Sequence, residues 1–324
     1  MLKENYKKKA AVNQATFLSR LKRDLDINKG YYMMLIPVLI YLIIFAYGPM
    51  YGALIAFKDY TPRLGILGSP WVGFKHFKAF MTSPYFGRVF KNTVVISVTN
   101  LLASFPAPII LALLLNEIQN IYFKKTVQTL SYLPHFISMV VVCSLIKIFT
   151  IDTGPINQLL VFISGGMYKP TTMLNESGKF LPIYVVSDVW QSMGWGSIIY
   201  LSALASIDTE QYEAARVDGA GRFRTMISIT LPSLLPTIII MLIIRVGSII
   251  NVGYEKILLL YNEATMDVAD VISTYVYRRG LAGESGGNQW SYSTAVGLFN
   301  SIINFVLVIV TNKISGKISD ISLW

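Results

Sequence analysis

The sequence holds one cysteine, Cys143, and two histidines, His76 and His135, among 324 residues. A single cysteine excludes an intramolecular disulfide framework and a cysteine-based zinc site. The histidines stand 59 residues apart with no cysteine or carboxylate cluster beside them, so no metal site is expected. Charge is scarce as well: 14% of residues are Asp, Glu, Lys or Arg, against about a quarter in soluble domains. Nucleotide chemistry has no footing. Lys179 follows Gly178, but Phe180 comes next and no glycine stands five places before Gly178, so there is no G-x-x-x-x-G-K-[ST] loop. Without that loop's amides and its Ser/Thr magnesium ligand, the chain is not expected to hydrolyse ATP. It also lacks a G-x-S-x-G elbow, and His135 sits beside Pro134 in an apolar run, so no catalytic residue is assigned.

What the chain has in quantity is apolar length. Hydrophobic residues make up 53% of it, and mean hydropathy is +0.52. That balance defines an integral membrane protein. Apolar runs lie at about 31–57, 92–115, 126–149, 182–207, 229–252 and 293–312. Each approaches the roughly 20 residues needed to cross a bilayer. Uninterrupted runs in lipid must be helices, which satisfy their own backbones. The expected fold is all-α with six transmembrane helices. Pro37, Pro49, Pro106 and Pro108 are expected to kink them.

The net charge of +10 sits in segments beside the spans, which fits a membrane surface and not nucleic acid. Residues 1–30 carry eight Lys/Arg and three Asp/Glu, with no apolar core leading to a small-residue cleavage site. No cleaved signal is expected. Phe17, Leu18, Leu21 and Leu25 share one helical face edged by Arg20, Lys22 and Arg23, which reads as a basic amphipathic helix on the membrane surface. Residues 1–13 read as a disordered basic tail. With the N-terminus inside, the inside segments hold fifteen Lys/Arg in 75 residues and the outside segments eleven in 106. The positive-inside rule then puts both termini in the cytoplasm, with 313–324 as a short tail. Trp71 to Phe90 mixes aromatics with bases and suits an interfacial helix at the outer surface.

One polar island interrupts this pattern. Glu213 to Pro232 reads EAARVDGAGRFRTMISITLP, on the inside by the charge count. Ala, Glu and Arg favour helix and Gly219 permits a break. The spacing predicts a short helix from about Thr209 to Asp218, a turn at Gly219-Ala220-Gly221, and a second short helix entering span five. The pattern E-A-A, three residues, G, nine residues, I-x-L-P is met by Glu213, Ala214, Ala215, Gly219, Ile229, Leu231 and Pro232. It resembles the EAA signature of the membrane subunits of bacterial ABC importers. Trp190 to Leu204 (WQSMGWGSIIYLSAL) and Tyr212 resemble the sugar-importer permeases, and the likeness runs from about Tyr31 onward. Within them the chain is most similar to the branch that serves oligosaccharides, including the alginate importer's permease subunits.

The resemblance implies a permease in the bacterial cytoplasmic membrane, importing an oligosaccharide, including acidic ones such as alginate or pectin fragments. It implies a second, different permease, two cytosolic ATPase subunits that carry ATP and Mg2+, an extracytoplasmic solute-binding protein, and surrounding lipid. This chain would bind no cofactor. The stretch Tyr212, Glu213, Ala214, Ala215, Asp218, Gly219, Ala220 and Gly221 would plug into the ATPase. Arg222 and Arg224 would meet either acidic groups there or lipid phosphates, or simply snorkel.

Polar residues inside spans are costly and usually face the bundle interior or water. In span four, Asp188, Gln191 and Trp195 fall at i, i+3 and i+7 on one face. Trp190 and Trp195 would stack on sugar rings, or else serve as interfacial belt and packing; Gln191 would bond hydroxyls. In span five, Arg245, Ser248 and Asn251 share a face, with Arg245 some sixteen residues in, near mid-membrane. Arg245 either pairs with Asp188 or faces the cavity free, which would favour acidic sugars. Asn300 and Asn304 in span six either glue helices or touch substrate. Gly253 to Ser291, with Gly283, Gly286 and Gly287, reads as an exposed, mobile outer loop suited to a gate or to reaching the binding protein. A stand-alone secondary transporter often shows internal repeats; the first three spans do not recur in the last three. A membrane enzyme would want clustered acids or histidines.

Overall fold

The computed structural model describes residues 17–283 and 289–319, and side chains at 22–283 and 289–317. The basic tail 1–13, Gly286, Gly287 and the last residues of the C-terminal tail lie outside them, as do the side chains of Phe17, Leu18 and Leu21. Helix α1 (Phe17–Ile27) is followed by α2 (Lys29–Leu42), which runs on through a π turn at Ile43–Tyr47 into a 3-10 stretch at Tyr51–Phe57. The loosening falls just before Pro49, which has no N–H to give, and Gly48 N–H reaches back to the Ile43 carbonyl. Side chains of this first span lie on the outside of the bundle.

Next come α3 (Phe86–Ser104) and α4 (Pro106–Glu117), one apolar stretch broken where Pro106 opens the second helix. Helix α5 (Ile121–Tyr132) ends in a 3-10 turn, Leu133–Phe136, that contains Pro134. The Ser138 hydroxyl then caps α6 (Met139–Thr150) by accepting from Val141 N–H. The expected third span, 126–149, is therefore broken, and the long apolar stretch lies at Met139–Ile163. Periodicity did not register that Pro134 frees a carbonyl and that Ser138 supplies a new start.

Helix α7 (Ser177–Ala205) is the axis of the bundle and packs against α3, α4 and α5. A β-carbon on Gly194 would run into the Ser131 carbonyl, so α7 and α5 meet backbone to backbone. Beyond it lie α8 (Thr209–Val217), α9 (Arg222–Thr225), α10 (Leu231–Gly247), α11 (Tyr254–Leu260), α12 (Ile272–Gly280) and α13 (Trp290–Ser319). Five described stretches are long and apolar enough to span a bilayer. The sixth expected span is α7, long enough at 29 residues but diluted by Ser, Gln, Gly and Asp.

The expectation of an exposed mobile loop from Gly253 to Ser291 is corrected. Helices α11 and α12 fold onto the start of α7 and the side of α3, and Ile257, Leu260, Val271 and Ile272 are buried there. Its polar residues are consumed in pairing. Asp270 accepts two hydrogen bonds from Arg278, at 2.8 and 2.7 Å, and one from Arg88 at 3.1 Å. Asn92 donates to the carbonyls of Asp267 and Asp270 at 2.9 and 3.0 Å. Composition marked these groups as solvent-seeking because it does not register that they satisfy one another.

Candidate functional site

The EAA stretch folds as its spacing predicts. The Asp208 carboxylate accepts from Glu210 N–H at 3.0 Å and starts α8. The helix stops at Gly219, whose φ of +74° suits glycine. Ala220 N–H donates to the Ala215 carbonyl at 2.9 Å and Gly219 N–H to Arg216 at 3.0 Å, the paired bonds of a Schellman ending. Ala215 is buried and Tyr212 Oη lies 3.2 Å from Thr230 Oγ1, which ties α8 to the root of α10. Glu213, Ala214, Asp218 and Gly221 are exposed. So are Val217 and Phe223, apolar side chains with 88% and 71% of their surface free, which sequence reasoning passed over. A polar concavity of about 570 Å³ beside them is lined by Glu117, Tyr212, Glu213, Arg216, Ala220 and Arg222.

Toward the other end of α7 lies a second polar site. Asp188, Arg245, Ser248 and Asn251 line one cavity of about 240 Å³, as helical spacing on two spans suggested. Asp188 does not pair with Arg245. It accepts from Asn100 Nδ2 at 3.0 Å and from Lys256 Nζ at 3.5 Å. Lys256, 1% exposed, also donates to the Tyr184 carbonyl at 3.2 Å and sits 4.8 Å above the Tyr184 ring. Arg245 donates to Ser104 Oγ at 3.3 Å, and among the described residues no carboxylate lies within ion-pair reach of it. Ser97 Oγ and Asn100 Oδ1, in residues that line the cavity, are buried without partners.

Other sequence candidates stand apart from this cavity. Gln191 is buried and does not line it. Trp190 lines an apolar groove with Phe149, Pro182 and Val186. Trp195 stacks on His135 at 4.7 Å with Phe136 edge-on. Asn300 and Asn304 both donate to Asn251 Oδ1, at 2.9 and 3.0 Å, and so fasten α13 to the segment after α10. Lys256, Asn100, Ser97, Ser104 and Tyr184 were missed. Ser97, Asn100 and Ser104 stand at i, i+3 and i+7 in span two, the same signal that picked out Asp188 in span four.

A multi-pass helical bundle with a polar cavity, and with an exposed, sharply terminated helix at the far end of the same axis, is a membrane transport subunit that receives its drive from another protein. The chain belongs to the family of binding-protein-dependent transport system inner membrane components, whose profile matches residues 85–319. It is thus the permease component of an importer and not itself an enzyme. It is 46% identical over 310 residues to Protein LplB of Bacillus subtilis, covering 95% of this chain and 94% of that one. It is 45% identical over 306 residues to the polygalacturonan/rhamnogalacturonan transport system permease protein YteP of the same organism, covering 94% and 93%. Its structure is similar to a chain of a bacterial alginate ABC transporter solved with an alginate pentasaccharide-bound periplasmic protein. The TM-score is 0.84 at 41% identity, covering 94% of this chain and all of that one.

Proposed function

We propose that this chain forms half of the translocation pathway of an ATP-driven oligosaccharide importer in the bacterial cytoplasmic membrane. Both termini face the cytoplasm. A second, different permease completes the pathway, an extracytoplasmic binding protein delivers the saccharide, and two cytosolic ATPase subunits hold ATP and Mg2+. The observation that carries the reading is the single axis α7. Asp188, near its middle, forms part of the cavity wall, and its last turn leads directly into α8, the exposed helix of the EAA stretch. The axis is 29 residues long, and its part from Asp188 to Ala205 runs about 26 Å at 1.5 Å per residue. A push on α8 therefore reaches the cavity through one rigid element.

Glu213 supplies charge to the docking face, Val217 and Phe223 supply apolar area, and the Gly219 turn returns the chain to α10. Fully burying a side chain such as Val217 or Phe223 is worth about 1.5–3 kcal/mol, enough to make the contact firm. The relatives named above support a saccharide cargo. In a reconstituted complex with its binding protein, Glu213→Ala and Val217→Asp should each lower saccharide-stimulated ATP hydrolysis at least tenfold. The loss should come either with the assembly intact or with loss of the ATPase subunits on gel filtration. Uptake that continues without ATP, with no ATPase subunit co-purifying, would favour a stand-alone secondary transporter. Stimulation by a non-sugar solute alone would favour a permease for another cargo.

A further inference from the structure

We propose that Arg245 is the cavity residue that selects carboxylated sugar units, while Lys256 and Asp188 neutralise each other and serve as wall. The assignment rests on the saccharide-importer reading and adds the charge of the cargo and the residue that reads it. The cavity carries two cations and one carboxylate. The carboxylate is spoken for by Lys256 and Asn100, at 3.5 and 3.0 Å. Lys256 is 1% exposed and is also held by the Tyr184 carbonyl and ring, so it has little surface to offer a passing ligand. Arg245 differs in kind. It donates to a neutral hydroxyl, Ser104 Oγ at 3.3 Å, and its guanidinium, which lines the cavity, has four further N–H donors.

An arginine at membrane depth is costly, and a serine hydroxyl offsets only part of that cost. A planar carboxylate matches the guanidinium fork in two parallel bonds, a geometry that hydroxyls alone reproduce poorly. The rest of the lining suits the remainder of a sugar acid. Ser97, Asn100, Ser248 and Asn251 all line the cavity. These are short-range partners for ring hydroxyls. A neutral sugar satisfies them but leaves Arg245 without a counter-charge, so discrimination should appear against neutral cargo.

The test uses the full complex in proteoliposomes with saturating loaded binding protein. The probes are trigalacturonate and the same trisaccharide with its carboxylates methyl-esterified, and binding-protein loading is checked separately for each. Wild type should take up the acid at least tenfold faster than the ester. Arg245→Gln should bring that ratio within about threefold of unity by slowing the acid, with ester uptake changed less than twofold. Arg245→Lys, which keeps the charge but not the fork, should retain only part of the preference, an intermediate ratio that a purely structural loss would not give. The double variant Asp188→Asn, Lys256→Gln, which removes both wall charges together, should keep a wild-type ratio. Equal slowing of both probes in Arg245→Gln, or an unchanged ratio, would overturn the assignment and leave the importer reading standing. A ratio that collapses in the double variant but not in Arg245→Gln would transfer the role to Lys256. Failure of wild type to take up any saccharide would sink the importer reading and this assignment with it.

Discussion

Two aspartates, one buried and one half-buried, divide the molecule into a part that is held and a part that is available. Asp270, 0% exposed, is gripped by Arg278 through both oxygens and by Arg88 through one, and Thr274 donates to it as well. The groups come from α3, α12 and the turn between α11 and α12, so this one carboxylate fastens three segments. Asp188, 20% exposed, meets its lysine at a looser 3.5 Å and borders a cavity whose wall includes unpartnered oxygens. Both sites are cation-rich. At Asp270 the arginines close the geometry. At Asp188 the lysine is held to the wall and a guanidinium is left for something that is not part of the chain. Polar groups in a membrane protein thus serve two ends, and the difference lies in whether their bonds are made internally.

The sharpest way to break this comparison is to remove the carboxylates one at a time. Asp270→Asn leaves two arginines facing each other in a buried site. Losing one partner of a buried ion pair costs about 3–5 kcal/mol, so thermal unfolding in lipid nanodiscs should shift steeply or the complex should fail to assemble. Asp188→Asn turns one of the two accepting oxygens into a donor, so it keeps one of the Asn100 and Lys256 hydrogen bonds, beside a polar cavity. It should destabilise less and act mainly on transport. A larger stability loss in Asp188→Asn than in Asp270→Asn would show that the cavity wall, not the clamp, holds the bundle together.

Next in size is the axis itself. A methyl on Gly194 meets the Ser131 carbonyl, and backbone cannot step aside as a flexible side chain does. Gly194→Ala should cost about 1–3 kcal/mol, as overpacking commonly does, and should loosen the α5–α7 seam near the His135–Trp195 stack. Quenching of Trp195 fluorescence, in a variant where the other tryptophans are phenylalanine, reads that seam directly. An unchanged spectrum with wild-type stability would mean that the two helices do not meet backbone to backbone.

Much of the architecture was legible because apolar length and the EAA spacing are local signals. Outside the third run the long apolar helices followed hydropathy, and the break at Gly219 followed from a residue that tolerates positive φ. What stayed hidden depended on partners far apart in sequence. Lys256 counts as one more base in a polar segment until α11 folds it beneath Tyr184 and against Asp188. Asp270 and Arg278 look solvent-seeking until Arg88, 182 residues from Asp270, joins them. Pro134 and Ser138 were visible in the third apolar run, but hydropathy averages across a stop and a new cap. Trp190 and Trp195 drew attention as sugar-stacking residues through their type alone. The structure turns one to an apolar groove and the other to His135, because ring orientation depends on neighbours contributed by α5 and α6.

The smallest effect on stability should come from the exposed end of the axis, where the comparison is sharpened most. Nothing stands within 4 Å of where a β-carbon on Gly219 would sit, so any penalty there comes from the backbone angle alone. Placing an L-residue at positive φ costs about 1–2 kcal/mol, and asparagine tolerates that region better than alanine does. Gly219→Ala should therefore shift unfolding only slightly yet impair ATP-coupled uptake, because the return of the chain from α8 to α10 is misaimed. Gly219→Asn should recover part of that uptake. The order Gly, Asn, Ala in uptake, with near-equal unfolding temperatures, would mark this turn as a working part like the Asp188 cavity and unlike the Asp270 clamp. Alanine and asparagine variants that are equally active would show that the docking helix is positioned by Tyr212 and Thr230 and not by the turn.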